Sequence, residues 1–267
     1  MGVINLTPDS FSDGAQLKKD DRSKFEVDLA KALSRAGTLV AEGALFIDVG
    51  GESTRPGAEA VSTQEELSRV IPVIEAIHAN LDVCISVDTS SPIVMLEAIR
   101  AGAEFINDIR ALANPQTIKI IKDSGVAVCL MHMQGDPGTM QKTVSYDDVT
   151  EEVFTFLRER VQLCLDSGID RGHLVIDPGF GFGKSLQHNY QLLKNLPRLQ
   201  ELELPILVGI SRKSMIGGIT DKPVGERLAG SIAATTHALL GGANIVRAHD
   251  VAATVDAIRV NSALSIA

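Results

Sequence analysis

The sequence predicts an α/β protein, a single (β/α)8 TIM barrel over residues 1–267. Three observations point to it. Eight short runs rich in valine, isoleucine and leucine recur with helical patterns between them, and eight βα units need roughly 250 residues. The runs lack in/out alternation, as expected of parallel strands covered on both faces. Nearly every run also turns polar at its C-terminal end. A closed barrel gathers those ends at one mouth, whereas a doubly wound open sheet would spread them along an edge.

The first run, VINL (3–6), contains Asn5 and leads into LTPDSFSDGAQLKKDD. That connection of roughly 15 residues is long for a βα loop and reads as either a disordered segment or a working, mobile lid over the mouth. ALFIDV (44–49) carries Asp48 and opens a second long loop, GGESTRPGAEAVS. Ser62 and Glu65 have capping-box spacing ahead of the helix ELSRVIPVIEAI. VCISVD (83–88) ends on Asp88; Ser91-Pro92 then starts a helix that Gly102 stops. FINDI (105–109) supplies Asn107 and Asp108, and AVCLMH (127–132) ends on His132. Ser145 and Asp148 open DDVTEEVFTFLRERVQLCL, which ends near Gly168. LVID (174–177) delivers Asp177, PILVGIS (205–211) leads to Ser211 and Lys213, and IVRAH (245–249) carries Arg247 and His249. Between the last two runs lies a helix over 226–240, closed by Gly241-Gly242.

A net charge of −9 argues against general nucleic-acid binding. It still permits an anionic small substrate, because a local cation cluster can reverse the field inside a cleft. The three cysteines lie in apolar or helical patterns without CxxC spacing, so they read as reduced, buried residues. No signal peptide and no apolar stretch near the roughly 20 residues of a membrane span is evident. A cytoplasmic protein is the expectation.

The stretch DPGFGFGKS (177–185) looks like a phosphate loop, but its spacing excludes that. A P-loop needs glycine five residues before the Gly-Lys pair, where Pro178 stands. The dinucleotide fingerprint fails as well, because Lys184 or Leu186 holds the place of the third glycine.

Seven tags in register resemble the dihydropteroate synthase family: NLTPDSFSDG (5–14), GGESTRPG (50–57), SVDT (86–89), IND (106–108), DPGFGFGK (177–184), SRKS (211–214) and RAHD (247–250). The resemblance covers nearly the whole chain. It implies a (β/α)8 barrel, usually a homodimer, that joins 4-aminobenzoate to 6-hydroxymethyl-7,8-dihydropterin diphosphate. The products are 7,8-dihydropteroate and diphosphate, Mg2+ assists, and sulfonamides inhibit.

The resemblance also distributes roles. Asp177 accepts the paired donors of the pterin edge, as a carboxylate does bidentately. Asp88 and Asn107 meet other ring atoms, Lys213 the ring acceptors, and Arg247 stacks on the ring face. Phe182 lines the ring, with the glycines around it letting backbone pass close by. Asn5, Thr54, Arg55 and His249 hold the diphosphate, and Asn5 ligates Mg2+. Phe11, Pro56 and the backbone N–H of Ser214 receive 4-aminobenzoate. Asp13, Lys213, Arg247 and His249 take part in catalysis, Asp13 stabilising a pterin cation. Asp108 reads instead as a loop-ordering carboxylate and His132 as an ordinary strand-end histidine. Two rivals remain: a methyltetrahydrofolate-dependent corrinoid methyltransferase, which would share the pterin-contacting Asp and Asn but not TPDSF, STRPG and SRKS together; and a non-catalytic pterin-binding protein, expected to lack Lys213, Arg247 or His249.

Overall fold

A computed structural model describes residues 1–7, 26–53, 61–136, 140 and 144–266. Among these residues eight parallel strands close a barrel. Six form one sheet in sequence order: β1 (Gly2–Asn5), β2 (Phe46–Gly50), β3 (Cys84–Asp88), β4 (Phe105–Asp108), β5 (Ala127–Met131) and β6 (Leu174–Asp177). β7 (Leu207–Val208) pairs with β8 (Ile245–Val246). Single bridges, Ile176 with Ile206 and Gly2 with Ala248, join this pair to β6 and to β1. The ring therefore has no free edge, which removes the liability of unpaired strand groups.

The last two strands are much shorter than the expected 205–211 and 245–249, and the reason is local. Backbone pairing ends at Val208 and Val246 apart from one further bond, Arg247 N–H to the Val208 carbonyl at 2.9 Å. Beyond that point side chains join the two loops.

The strands do alternate, contrary to the expectation. One face of each strand (Ile4, Ile47, Ile85, Ile106, Val128, Ile176, Val208, Val246) packs under the helices in the main core. The other face points into the barrel, where Phe46, Cys84, Phe105, Cys129, Val175, Leu207 and Ile245 make a separate cluster. Two residues further along, the inward positions of several strands become polar: Asp48, Ser86 and Asn107 follow Phe46, Cys84 and Phe105, and Asp177 follows Val175. Both faces are apolar at the closed end, so the period-2 signal is hidden there and returns only at the mouth.

Helices α1 (Leu29–Ala41), α2 (Thr63–Asn80), α3 (Pro92–Ala101), α4 (Pro115–Ser124), α5 (Val149–Asp166), α6 (Leu186–Lys194), α7 (Ser214–Thr220), α8 (Leu228–Leu240) and α9 (Val251–Ile266) surround the strands. Ser62 caps α2 by accepting the Glu65 N–H at 3.2 Å. The reciprocal half of that capping box is not formed, because the Glu65 carboxylate pairs with Arg69 at 2.6 Å. Ser91 stands at the N-cap of α3 without a side-chain cap bond, and Gly102 ends that helix in the left-handed region at φ 113°. Asp148 caps α5. The helix expected over 226–240 is a short 3-10 turn, Val224–Glu226, followed by α8. No helix of the described residues is long and apolar enough to cross a membrane.

Candidate active site

The inward polar tips meet at one mouth. Arg247 anchors them: its Nε donates to Asp48 Oδ2 at 2.6 Å and its Nη2 to Asp88 Oδ2 at 3.0 Å. Asp48 also accepts from the Ser86 hydroxyl at 2.5 Å and from the Asn107 amide at 3.3 Å. Its side chain has no solvent exposure, and three donors explain how a buried carboxylate is tolerated there. Burial works against the charge on Arg247, but Asp48 and Asp88 outweigh it and hold the guanidinium above its usual range. Burial raises Asp88 to about 7, against the pull of Arg247 and with the help of Asp48.

Asp177 and Lys213 form the second half of the mouth. Burial pushes the Asp177 carboxyl up, while Lys213, the Gly179 N–H, Lys184 and Arg247 pull it down. Asp177 accepts that N–H at 2.7 Å, so it shapes the turn as well as facing the mouth. Burial lowers Lys213 to about 8, opposed by Asp177. The Lys213 ammonium lies 4.5 Å from the centroid of the Phe182 ring and donates to the Phe180 carbonyl. A Cβ on Gly209 would stand 3.9 Å from both Lys213 Nζ and Arg247 Cβ, so it would meet the side chains of both cations at ordinary contact distance.

The glycines of 179–183 also answer to neighbours within the protein. Gly179, Gly181 and Gly183 all have positive φ, which only glycine adopts without strain. A Cβ at Gly179 would fall 1.9 Å from the His132 carbonyl oxygen, and one at Gly183 2.4 Å from that of Gln134. At those two positions the close neighbour is the protein's own β5 loop. Lys184 holds the two loops together. Only 2% exposed, it bonds His132 Nδ1 at 2.9 Å and the carbonyls of Gly179 at 2.9 Å and Phe182 at 3.1 Å. Burial lowers Lys184 to about 7, and burial with the Lys184 charge lowers His132 to about 3. Burial and the Lys184 charge thus favour the neutral ring of His132 in this packed polar knot.

Asn5 and Asp88 flank Gly50: a Cβ built there would lie 3.8 Å from Asn5 Oδ1 and 3.9 Å from Asp88 Oδ2. His249 is joined to Ser211, its N–H donating to the hydroxyl at 3.2 Å and its Nδ1 lying 3.1 Å from it. Ser214 is the first residue of α7, so its N–H lies at a helix start. Asp108 orders its loop as read from the sequence, accepting the Arg110 and Leu112 N–H groups at 2.9 and 2.8 Å and the Ser90 hydroxyl. Phe11, Asp13, Thr54, Arg55 and Pro56 lie outside the described residues.

Four residues of this region went without a role in the sequence reading: Asp48, Lys184, Glu66 and Arg69. Glu66, 4% exposed on α2, accepts the Thr89 hydroxyl at 2.6 Å; burial raises it to about 7. Arg69 donates to the Gly51 carbonyl at 2.7 Å, fixing the root of the second long loop. Strand period alone could have placed Asp48 beside Asp88, two rungs from the same face. Nothing in the sequence marks Glu66 or Arg69, and although Lys184 ends the DPGFGFGK tag, its bond to His132 comes from another element.

Among the described residues no group of three or more His, Cys, Asp or Glu side chains is placed to hold a metal. The Asn5 side-chain carbonyl offers a hard oxygen, the donor type that Mg2+ accepts while keeping most of its waters and using substrate phosphates.

Comparison with known proteins places the chain among relatives of one family. Residues 1–249 match the family model described as pterin binding enzyme. The chain is 49% identical over 260 residues to the dihydropteroate synthase of Haemophilus influenzae, covering 97% of this chain and 91% of that one. The crystal structure of Yersinia pestis dihydropteroate synthase with a sulfonamide drug complex superposes with a TM-score of 0.92 at 46% identity, covering 99% of this chain and 92% of that one. Xanthomonas albilineans dihydropteroate synthase with 4-aminobenzoic acid gives 0.89 at 48% identity, with coverages of 100% and 92%.

Proposed function

Because the chain belongs to the pterin-binding enzyme family, as one of its dihydropteroate synthases, we propose how its mouth divides the work of that reaction. The activity is a transfer in folate synthesis: 4-aminobenzoate displaces diphosphate from 6-hydroxymethyl-7,8-dihydropterin diphosphate. The observation that carries the assignment is the convergence of Asp177, Lys213 and Arg247, from three separate strand ends, at one end of the barrel, where Lys213 and Arg247 act on the Asp177 charge and both border Gly209.

The pterin's 2-amino group and neighbouring N–H are side-by-side donors, and ionised Asp177 accepts both. Asn107 and Asp88 bind further ring atoms, Phe182 lines the ring, and Lys213 donates to the ring acceptors. Arg247 spends edge atoms on Asp48 and Asp88, which leaves its planar face for stacking on the pterin. Bound Mg2+, held through Asn5, supplies charge neutralisation for the departing diphosphate. Thr54, Arg55 and His249 hold the same group by hydrogen bonds and charge. The C–O bond at the pterin methylene breaks, the amine nitrogen forms the new C–N bond, and the amine releases a proton. No covalent nucleophile is needed. Asp13 stabilises the cationic pterin electrostatically. Phe11 and Pro56 contact the 4-aminobenzoate ring, and the Ser214 N–H meets its carboxylate.

Diphosphate release measured with and without 4-aminobenzoate tests the assignment. Release is expected only with the amine present, with sulfonamides competing against it. The Asp13→Asn protein should turn over more slowly with pterin affinity retained. Methyl transfer to a corrinoid, or pterin binding without release, would favour the rival readings instead.

We also assign a homodimer. The groove between α8 and α9 exposes Leu228, Ile232, Ala233, Ala257, Val260 and Leu264, and Val260 and Leu264 are 63% and 70% exposed. An apolar face of that kind marks an association surface. Sedimentation at micromolar concentration is expected to give twice the 28.4 kDa chain mass, and a monomer there refutes the assignment. All three cysteines are unpaired, which suits the reducing conditions of a cytoplasm.

A further inference from the structure

The backbone ladder between β7 and β8 stops short of the mouth, yet Lys213, Arg247 and His249 sit just beyond its end. Two side-chain links continue it in register. Ser211 bonds His249 at its N–H and ring, at 3.2 and 3.1 Å. One residue further, Arg212 forks onto Asp250, Nε to Oδ2 at 2.8 Å and Nη2 to Oδ1 at 2.5 Å. Both partners are largely sheltered, with side chains 25% and 20% exposed.

Arg212 also takes an unusual backbone shape. Its φ of 58° lies in the left-handed region, which is unfavourable for a non-glycine residue. It is held there from both sides: its N–H donates to the Ser231 hydroxyl at 2.9 Å, and its carbonyl accepts from Arg227 at 3.0 Å. This turn sends Arg212 toward the β8 loop while Lys213, the next residue, reaches Phe180 and Phe182 across the mouth. On the other side, the Asp250 carbonyl starts α9 by accepting the Thr254 N–H at 3.1 Å, and the His249 carbonyl accepts from Arg35 at 3.2 Å. Neither carboxylate oxygen of Asp250 is needed by its own helix in these bonds, so both serve the fork.

We propose that Arg212 and Asp250 are positioning residues, whose fork sets the placement of Lys213 relative to Arg247 and His249 during the transfer. A planar two-bond pair suits that task because it fixes orientation as well as distance. The proposal rests on the roles given above to Lys213, Arg247 and His249. It concerns placement, since neither Arg212 nor Asp250 is required to touch a substrate.

The test is a double-mutant cycle on the full-length enzyme, with kcat and the KM for each substrate measured alongside Tm. Asp250→Asn keeps the volume and loses the charged fork. It is expected to lower kcat by about tenfold to a hundredfold, the scale of a roughly 1 Å misplacement. In a Lys213→Gln background the same change should cost less than threefold, because the group being positioned is already gone. Arg212→Lys keeps the charge but breaks the fork, and is expected to show the same pattern even if Asp250→Asn folds poorly. Full activity in Arg212→Lys or Asp250→Asn overturns the proposal. So does an equal loss in both backgrounds, which would mark a merely structural role. A fully active Lys213→Gln protein, by contrast, would sink the role given to Lys213 and thereby identify which of the two ideas had failed.

Discussion

Replacing Asp177 by Asn is expected to remove nearly all pterin affinity. The carboxylate accepts two adjacent donors in a site sheltered from water, and bonds to a charged acceptor contribute about 1.5–3 kcal/mol each. Losing both therefore corresponds to roughly a hundredfold to ten-thousandfold in affinity. An amide oxygen can still accept one of the donors, but its NH2 group then faces the second. The same substitution leaves Lys213 and Lys184 beside a neutral group, although Asp177 is the largest influence supporting either buried cation. Calorimetric titration with a pterin lacking diphosphate isolates the ring contacts from those of the leaving group. Affinity within threefold of the unmodified protein would show that the ring is bound elsewhere.

Arg247→Gln is expected to cost both turnover and stability. Arg247 is the only cation that the described residues bond to Asp48 and Asp88, and removing one partner of a buried pair destabilises by about 3–5 kcal/mol. The pH dependence has a definite sign. Asp88 stands at about 7 in the folded protein with Arg247 present, already above its unfolded value, and losing the cation raises it further. A carboxyl whose folded pKa lies above its unfolded one is tolerated best when protonated, and its cost grows as pH rises through the folded value. The deficit of the variant should therefore be larger at pH 8 than at pH 5. Urea melts at the two pH values read this directly; an equal deficit at both would remove Asp88 from the explanation. Arg247→Lys should recover little, because an ammonium cannot present two fixed donors to two carboxylates and a flat face to the ring.

The sequence carried the fold and most of the candidate site's strand-end residues for an identifiable physical reason. Strand tips are local features: an apolar run that ends in Asp, Asn or Lys names the residue that will stand at the rim. Asp88, Asn107, Asp177, Lys213 and Arg247 were all legible in that way, and closure of the barrel brought them together as a parallel eightfold arrangement requires. The seven motifs in register, which reach into segments beyond the described residues, added the chemistry.

Only the tertiary structure decided which charges are paired. Asp48 and Arg247 stand 199 residues apart, Lys184 and His132 52 apart, and Glu66 reaches Thr89 from a different element. No local pattern encodes such partners, because the free energy of a buried charge depends on what surrounds it after closure. The glycines of 179–183 show the same division. Their number announced an unusual turn, but the His132 and Gln134 carbonyls that exclude a side chain come from another strand's loop. Local composition fixed where chain direction and polarity change; desolvation and packing between distant segments fixed the protonation and placement of each group there.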